Sequence, residues 1–412
     1  KGVDPIGKVL MFKVNDYLEI KDLHVPTAYL DEFCEAFEIL LENHAAQLVD
    51  VSVLSNFNSE PITAVDDTTR KALEGIGFKV TGERMIRGAV VDPQPREIAE
   101  RALFHKHHLH QSTRHENEIM ALKVVDEIRD DFALRGRSEL YRVDLKSMAS
   151  AHRLHQGINL RGHQVWASYE HFQEILAIRN QPADEELWDI VEFFSSHSDP
   201  NLFKERHALS QSEFRKLIQP LIRTGHIVQD FRGGFRSVFV PEGVDRAELR
   251  KEYIRKLVEK FPVITLRQLT QLAGPSFKPE ELKAVLNAFE EDETLIKGFL
   301  IEDFHQVCWG RKELLQEAKS IPSIRDFVLP PSDPIAPYFA DIMKERFGFG
   351  SAYLVFRNAE PVAAFKANTR NKIIDVKDYE GSEKAWRIVK EFAWEHQMPL
   401  QTDLRIGGKK LQ

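Results

Sequence analysis

Polar and basic side chains that could contact a nucleic acid concentrate in one segment, residues 211–225. This segment reads QSEFRKLIQPLIRTG and has the apolar period of an amphipathic helix. Spacings of three and four place one polar set on a common face, and that set is Ser212, Arg215, Lys216 and Gln219. The apolar set on the opposite side is Phe214, Leu217, Leu221 and Ile222. The polar face could lie in a major groove, with Arg215 and Lys216 on phosphates or guanine edges. The alternative is a solvated face on a domain that binds proteins.

Two arginines flank a glycine pair shortly after this segment. Arg232 and Arg236 bracket Gly233 and Gly234, and these glycines predict a tight turn between two short strands. Such a hairpin is the wing of a winged helix-turn-helix domain, whose arginines could reach an adjacent groove or the DNA backbone. We therefore predict Arg232 and Arg236 as DNA contacts.

A second basic set follows roughly 70 residues later and is weaker. On the segment KPEELKAVLNAFEEDE, Lys278, Lys283 and Asn287 occupy the equivalent helix. Four glutamates dilute its positive charge, so a solvated face is favoured over a DNA contact here. Trp309 is assigned to the core rather than to base stacking. The DNA contacts predicted for this module are Lys278, Lys283, Lys297, Arg311 and Lys312.

Histidines form the most conspicuous cluster of possible metal ligands. The run HKHHLH contains His105, His107, His108 and His110, and His115 lies beyond it. On a helix, His107 and His110 would share one side, where neutral imidazoles can hold a metal ion. No cysteine is nearby and no H-E-x-x-H motif occurs, and the pair His152 and His155 has the same shortage of partners. We therefore predict no bound metal and no cofactor.

Carboxylates are the remaining candidates for catalysis. Asp333 lies in a Pro-Ser-Asp-Pro turn, and Glu395 and Asp403 lie near the C-terminus. An acidic group beside an extruded nucleotide could activate water or stabilise a developing oxocarbenium ion, as cleavage of a glycosidic bond requires. The alternative for Asp333 is structural, since aspartate before proline is a common turn residue that bonds its own backbone.

The elements that would position these residues repeat one order of structure twice. ELWDIVEFFSSH and LSQSEFRKLIQPLIRTG predict two helices, and HIVQDF and FRSVFVP predict two strands around the glycine turn. AELRKEYIRKLVEKFP, TLRQLTQLAG and KPEELKAVLNAFEEDE then predict three helices before the two strands of TLIKGFLIEDFHQVCWG. We therefore predict tandem winged helices, over residues 184–242 and 243–320.

The flanking regions have other patterns. Residues 1–98 alternate between strand and helix patterns and predict a mixed α/β domain of unknown role. Residues 99–183 predict a helical region. Residues 321–412 predict three short strands and a late helix, and therefore a small antiparallel sheet or barrel with a C-terminal helix. The predicted fold class is a multidomain α+β protein.

Composition limits the class of protein further. With 412 residues the chain is too long for one ordinary core and suggests about two to four domains. The hydrophobic fraction of 42% and the charged fraction of 29% are typical of a soluble globular protein. No window has the pattern of a membrane span or of a signal peptide. Two cysteines, Cys34 and Cys308, exclude a disulfide framework and favour a reducing compartment.

Net charge argues against a protein that coats nucleic acid along its whole length. The formal net charge is −8, but residues 201–320 carry 20 Lys and Arg against 18 Asp and Glu. Binding to phosphates depends on the local field rather than on the total charge of a chain. Local DNA binding by the predicted winged helices is therefore compatible with this composition.

Segments in the second half of the chain resemble two known families. FVLPPSDPIAPYF, ERFGFG, YLVF and EPVAAFK, with the late helix, resemble the C-terminal β-barrel segment of the winged-helix family that contains the AlkZ-type DNA glycosylases. LNAFEEDETLIKGFLIEDFHQVCWGRKELL is similar to the winged-helix segment of the large helicase-related (Lhr) family. The resemblance covers roughly residues 184–402 and implies winged helices followed by a β-barrel.

The same resemblance implies a role in DNA repair or recombination, with two departures. No G-x-x-x-x-G-K-[ST] loop occurs, so the chain has no P-loop motor of its own. The glycosylases are associated with a Gln-apolar-Gln pair that has no convincing counterpart in this sequence. We therefore predict a cytoplasmic, nucleoid-associated DNA-binding protein for duplex or forked DNA, with a helicase or another repair protein as a candidate partner. A DNA glycosylase and a protein-interaction scaffold remain as alternatives.

Overall fold

The computed structural model describes most of the chain, in segments separated by gaps. The described residues are 7–14, 17–43, 49–51, 66–81, 84–88, 94–109, 127–130, 132, 149–150, 153–302, 304, 306–321, 324–369, 372–406 and 409–410. Within them, no helix is long and apolar enough to cross a bilayer. The predictions for His110, His115 and His152 lie outside the described residues.

Thirteen α-helices are found in the described residues. They are α1 Leu30–Asn43, α2 Asp67–Gly75, α3 Arg96–Lys106, α4 Tyr169–Arg179, α5 Trp188–Ser196, α6 Pro200–Arg206, α7 Gln211–Thr224, α8 Arg246–Val258, α9 Leu266–Ala273, α10 Pro279–Glu291, α11 Lys312–Ala318, α12 Ala340–Phe347 and α13 Glu383–Glu395. Short 3-10 helices occur at Thr27–Tyr29, Glu185–Leu187 and Ala336–Phe339.

Nineteen strands accompany these helices in the same residues. They are β1 Lys8–Val14, β2 Tyr17–His24, β3 Val49–Val51, β4 Lys79–Thr81, β5 Arg84–Arg87, β6 His155–Ile158, β7 Gln164–Ala167, β8 Ile227–Gln229, β9 Phe235–Ser237, β10 Val263–Ile264, β11 Ile296–Gly298, β12 Cys308–Gly310, β13 Phe327–Leu329, β14 Tyr353–Arg357, β15 Glu360–Asn368, β16 Ile374–Gly381, β17 Leu400–Thr402, β18 Arg405–Ile406 and β19 Lys409–Lys410.

The chain divides into two compact units, each assembled from separate stretches of sequence. The first unit comprises residues 1–99, 262–265 and 286–319. The second comprises residues 100–261, 266–285 and 320–412. Both units mix helices with sheets, which confirms the predicted mixed α+β class.

The first unit contains a five-stranded sheet in the order β1-β2-β3-β5-β4, with α1 and α2 beside it in sequence. Its core joins sheet residues to α1, with Ile20, Phe37, Leu41 and Phe78 all buried. The mixed α/β prediction therefore suits this region. The cap of α2 is Asp66, whose side chain accepts from the N–H groups of Thr68 and Thr69. Asp66 caps the helix because it lies one residue before the first helical residue, Asp67.

A smaller sheet in the first unit has the order β10-β12-β11 and is antiparallel. Its core contains Val263, Leu300, Cys308 and Leu315. Burial raises the pKa of the Cys308 thiol to about 12, so this cysteine behaves as a small apolar side chain rather than as a nucleophile. Trp309 is also buried, in line with its assignment to the core.

The second unit contains a four-stranded antiparallel sheet in the order β7-β6-β8-β9. The prediction of a helical region over 99–183 is wrong for residues 155–167, which form β6, β7 and their turn. Gly157 explains part of the difference, because a Cβ there would lie 2.6 Å from the Phe172 ring, so the strand packs directly on α4. Gly162 at φ +78 completes the tight turn between the two strands.

Helices α5 and α7 precede the hairpin of β8 and β9, as the sequence predicts, and a short helix that was not predicted, α6, lies between them. Ser210 and Glu213 form a reciprocal capping box at the start of α7, and Gly225 ends the helix at φ 90. A shared apolar core contains Ile190, Phe194, Phe203, Phe214, Ile218, Leu221, Ile227 and Phe235. Burying each of these side chains contributes about 1.5–3 kcal/mol relative to leaving it exposed.

The C-terminal part of the second unit is a five-stranded sheet in the order β13-β14-β15-β16-β17. The first four strands are antiparallel neighbours, and β17 runs parallel to β16. Helix α13 follows β16 and buries Trp386, Val389 and Phe392 against strand residues such as Phe365. The late helix and the three predicted strands are present in the described residues, but the sheet has two further strands, β13 and β17, at its edges, and β17 makes it mixed rather than antiparallel.

Candidate functional site

A large open cleft lies in the second unit, with a volume of about 980 Å³. Strands β6 to β9 and helix α7 supply most of its lining. Its lining includes Gln156, Arg161, Gln164, Arg179, Phe214, Arg215, Gln219, Arg223, Gln229 and Phe235. A cleft of this size can accommodate an extended ligand.

One face of the four-stranded sheet contributes to the cleft. Gln156 is the register partner of Gln229, and Gln229 is the partner of Phe235. Ile158 is likewise the partner of Gln164. Register partners point to the same side of a sheet, so these side chains line the cleft together. Glutamine amides offer both donors and acceptors, which suits contacts with base edges and with sugar oxygens.

The charged residues that line the cleft are all arginines within the described part of the chain: Arg161, Arg179, Arg215 and Arg223. Arg215 and Arg223 are exposed on α7, and neither forms an ion pair with any described residue. A cleft lined by charges of one sign concentrates an electrostatic field. The arrangement therefore attracts anions, and a phosphate chain is an extended anion of this kind.

Arg179 has a positional role at the end of α4. Its guanidinium donates to the carbonyl oxygens of Ile158, Asn159 and Arg223, at 3.0, 2.5 and 2.9 Å. Burial lowers the pKa of Arg179, and the charge of Glu127 opposes this change. Burial also lowers the pKa of His226, and the nearby Arg179 charge lowers it further. Arg179 thus connects the end of β6 and the turn that follows it to the C-terminal end of α7.

The predicted wing is a short hairpin turn held by one aspartate. Asp230 Oδ1 accepts from the N–H groups of Arg232 and Gly234, both at 2.8 Å. Gly233 has φ +88, a conformation that favours glycine. Arg232 and Arg236 are both exposed, and each guanidinium carbon lies over an aromatic ring, at 5.2 Å from the Phe231 centroid and 3.8 Å from the Tyr169 centroid. Both arginines are thus accessible to solvent, and Arg236 has the closer ring contact.

The structure separates the residues predicted on α7. Arg215 and Gln219 line the cleft, while Ser212 and Lys216 are exposed outside the lining set. Arg223 follows Gln219 by four residues and also lines the cleft. Helical spacing thus places Arg223 on the same face as Gln219, although Arg223 was not among the predicted DNA contacts.

The residues predicted in the second module do not form such a surface. Lys297 is only 12% exposed, lies 3.6 Å from Glu290 and sits 5.4 Å from the Trp309 ring centroid. Arg311 is half-buried and precedes α11, and Lys312 is exposed at its start. Lys278 lies just before α10 and is exposed, whereas Lys283 and Asn287 lie on α10 and are half-buried. These residues stay candidates for DNA contact without a shared cleft.

The histidines occupy different environments rather than one ligand face. Helix α3 ends at Lys106, one residue before His107, and the pairing of His107 with His110 lies outside the described residues. His107 is buried, and its Nε2 lies 3.0 Å from the carbonyl oxygen of Lys260. His105 is exposed, and His155 belongs to β6. Within the described residues, no group of three or more His, Cys, Asp or Glu side chains could hold a metal ion.

The three candidate carboxylates are also dispersed. Asp333 is buried, and its Oδ1 accepts from the N–H of Ile335 at 3.0 Å, as in the turn that the sequence offers as its structural alternative. Glu395 lies 3.4 Å from Arg325, and Asp403 is exposed. None of the three lines the cleft within the described residues.

Comparison with known proteins supports one coarse assignment. No family model matches the sequence, and no curated protein matches it. Among solved structures, the chain is similar to the DNA glycosylase AlkZ of Streptomyces sahachiroi, with a TM-score of 0.55 and 12% sequence identity. The match covers 75% of this chain and 100% of that chain.

This likeness identifies the class of fold. The chain has an AlkZ-like fold, which confirms that part of the resemblance seen in the sequence. The relationship to the large helicase-related family stays a prediction. At 12% identity the likeness shows the fold and carries no assignment of individual residues.

Sequence reasoning missed the part of the cleft that β6 and β7 supply. Gln156, Arg161 and Gln164 fall in the stretch that was predicted to be helical. A signal was present, since Gly157 and Gly162 interrupt that stretch at close spacing. Each strand has only four residues, too few to show a clear two-residue alternation.

Proposed function

We propose that this protein binds DNA through the cleft of the second unit and acts in DNA repair. The observation that carries this proposal is the cleft lining, in which glutamines and aromatic rings accompany four arginines. Cationic side chains contact phosphates, and amides contact base edges. The AlkZ-like fold supports the proposal, because the protein that shares it is a DNA glycosylase.

Two winged helices are part of this proposal. The first is proposed over residues 184–242, which contain α5, α6, α7 and the β8–β9 hairpin, and the second over residues 243–320. In the first, α7 is the recognition helix, and the turn carrying Arg232 is the wing. The bound DNA is duplex or forked, and a helicase or another repair protein is the proposed partner in a cytoplasmic, nucleoid-associated setting.

A salt titration of duplex binding tests this proposal. Each neutralised phosphate contributes a slope of about −0.9 to the dependence of log affinity on log salt. We expect a slope of several units for a 25-base-pair duplex of arbitrary sequence, measured by fluorescence anisotropy, with duplex length chosen as about two helical turns. Binding with no salt dependence, or no binding at low salt, would contradict the proposal and favour the protein-interaction scaffold.

DNA glycosylase activity is a second candidate function, favoured by the fold shared with AlkZ. It is tested by single-turnover release of a damaged base, with protein in excess over a lesion-bearing duplex. Asp333 is the proposed catalytic carboxylate from the sequence, and Asp333→Asn removes its charge while keeping an acceptor for the Ile335 N–H. Base release that persists in this variant would remove Asp333 from the mechanism and leave the glycosylase proposal standing.

A further inference from the structure

A second cavity, of about 290 Å³, lies in the second unit. We call it the Glu127 pocket, after a carboxylate in its wall. Its lining includes Glu127, Arg161, His171, Tyr253, Lys256 and Phe261. Arg161 also lines the large cleft, so one side chain borders both cavities.

Backbone pairing places Glu127 in the pocket wall. The next residue, Ile128, exchanges two backbone hydrogen bonds with Trp166 of β7, at 3.0 and 2.8 Å. This bridge extends the sheet by one residue beyond its edge strand. Glu127 is thereby fixed beside the turn that joins β6 to β7, which carries Asn159 and Arg161.

Three side chains hold the Glu127 carboxylate. His171 Nε2 lies 3.1 Å from Oε1, and Asn159 Nδ2 donates to Oε2 at 2.5 Å. The Arg161 guanidinium lies 3.5 Å from Oε2. The side chains of Glu127, Arg161 and His171 are each less than 15% exposed. Although burial alone would raise the pKa of Glu127, these partners lower it to about 2, so the carboxylate is charged at neutral pH.

The carboxylate retains capacity for a further donor. Two carboxylate oxygens accept about four hydrogen bonds. Among the described residues, three side chains donate to Glu127, and His171 alone of these lies on Oε1. A ligand that presents an N–H group can therefore complete the acceptor sites without displacing a protein partner.

The rest of the lining suits a flat, partly apolar ligand with a negative charge beside it. Tyr253 and Leu257 are half-buried and provide aromatic and aliphatic surface, with the buried Phe261 and Leu272 behind them in the lining. Lys256 lies on α8, is exposed, and is 3.5 Å from Glu174. An exposed ion pair of this length contributes little stability, so Lys256 can exchange Glu174 for a phosphate at small cost. Enzymes that read a single base combine the same elements, which are stacking surfaces and polar groups for the base edge.

We propose that the Glu127 pocket receives one nucleotide unit extruded from DNA that is bound in the cleft. The base lies against Tyr253 and Leu257, its N–H edge donates to Glu127, and Lys256 contacts a flanking phosphate. The volume, at the lower end of the range for ligand sites, suits one unit rather than a stretch of strand. This inference rests on the proposed DNA binding in the cleft, which Arg161 borders together with the pocket.

The test uses a duplex with 2-aminopurine in a single-nucleotide bulge, and a fully paired duplex for affinity. Unstacking the probe relieves its quenching, so we expect fluorescence to rise several-fold when the full-length protein binds. Leu257→Trp fills the pocket with an indole, and Leu249→Trp adds the same group elsewhere on α8, outside the pocket lining. We expect Leu257→Trp to lose most of the rise while keeping its affinity for paired duplex, and Leu249→Trp to retain both.

Three other results would overturn the pocket proposal, and one of them would overturn the DNA-binding proposal as well. Tight duplex binding without a fluorescence rise in the wild type overturns the pocket proposal and leaves DNA binding in place. An unchanged rise in Leu257→Trp also overturns it. Absence of duplex binding by the wild type removes both proposals. If Leu257→Trp does not fold, Glu127→Gln decides, because it keeps the shape of the side chain: a reduced rise supports the pocket, and a full rise overturns it.

Discussion

Arginine side chains have opposite roles in the cleft and in the wall of the Glu127 pocket. In the cleft, Arg215 and Arg223 extend from α7 and form no ion pair with described residues. In the pocket wall, Arg161 faces a carboxylate at 3.5 Å and is almost fully buried. A buried ion pair fixes geometry but leaves little field outside, whereas unpaired surface cations project theirs into solvent. Whether an arginine can attract a phosphate therefore depends more on its partner than on its presence in the lining.

The second module extends this comparison to lysine. Lys297 lies between Glu290 and the ring of Trp309, so its charge is used within the first unit. Arg215 has the same sign of charge but faces the open cleft. Two segments with a similar order of helices and strands can therefore differ in their capacity to bind phosphate.

The largest effect is expected from breaking the pocket wall. Glu127→Ala leaves Arg161 and His171 buried without their carboxylate, and loss of one partner of a buried pair costs about 3–5 kcal/mol. Unfolding in urea measures the change. Glu174→Ala is the matched control, because its pair with Lys256 is exposed and is worth about 0–1 kcal/mol. Equal losses of unfolding free energy in the two variants would show that the Arg161–Glu127 pair stabilises the fold no more than an exposed ion pair does.

The next effect concerns the exposed cations of the first module. Charge reversal at Arg215, Lys216 and Arg232 together should weaken duplex binding strongly, because all three are exposed. It should also flatten the slope of log affinity against log salt by about two to three units, near 0.9 per lost phosphate contact. The variant should unfold like the wild type, since surface changes of this kind usually alter stability by about 0.5 kcal/mol or less. A slope that does not change would separate these cations from DNA.

Acid should have a smaller effect on stability, and this effect should come from Glu127 in the pocket wall rather than from the arginines of the cleft. The folded pKa of Glu127 is about 2, below its ordinary value of 4.5, so the unfolded chain binds more protons between these values. The stabilisation is thus complete above about pH 4.5 and is lost as pH falls towards about 2. We expect the wild type to lose up to about 1.4 kcal/mol per pH unit from this group, and Glu127→Gln to lack that contribution. Parallel stability curves for the wild type and Glu127→Gln between about pH 5 and pH 3 would contradict this assignment.

The smallest effect is expected from the second module. Reversal at Lys278 and Lys283 should reduce duplex affinity less than the triple reversal does. Nearby glutamates on α10 offset these two charges, and Lys283 is half-buried. The salt slope should change by less than about one unit. The opposite ranking of the two variants would mean that the second module, rather than the first, is the main DNA contact.

Features with local causes could be predicted from the sequence. The capping box of Ser210 and Glu213, the helix end at Gly225 and the turn at Gly233 each depend on residues within one helical turn. The centre of the small C-terminal sheet was also predictable, because its three central strands are five to nine residues long and are separated by recognisable turns. The AlkZ-like fold followed from the same region.

The Glu127 pocket could not be predicted in this way. Its carboxylate meets Asn159 and His171, which are 32 and 44 residues away in sequence. β6 depends on a bridge to β8, more than seventy residues later in the chain, with Gln156 opposite Gln229. No local period encodes such partners, so a glutamate in a polar stretch reads as one more solvated charge.

The side-chain amide of Asn159 connects the Glu127 pocket with the turn that carries Arg161 into the cleft. Its hydrogen bonds limit which residues this position tolerates. Its Oδ1 accepts from the N–H groups of Arg161 and His163 at 3.1 and 2.9 Å, while its Nδ2 donates to Glu127. Aspartate would supply the acceptor but would place a second negative charge against Glu127. Leucine would supply neither function, and glutamine would move both by one methylene. Spontaneous deamidation would install that same aspartate, so the chemical ageing of one buried amide would loosen the turn that carries Arg161 into the cleft.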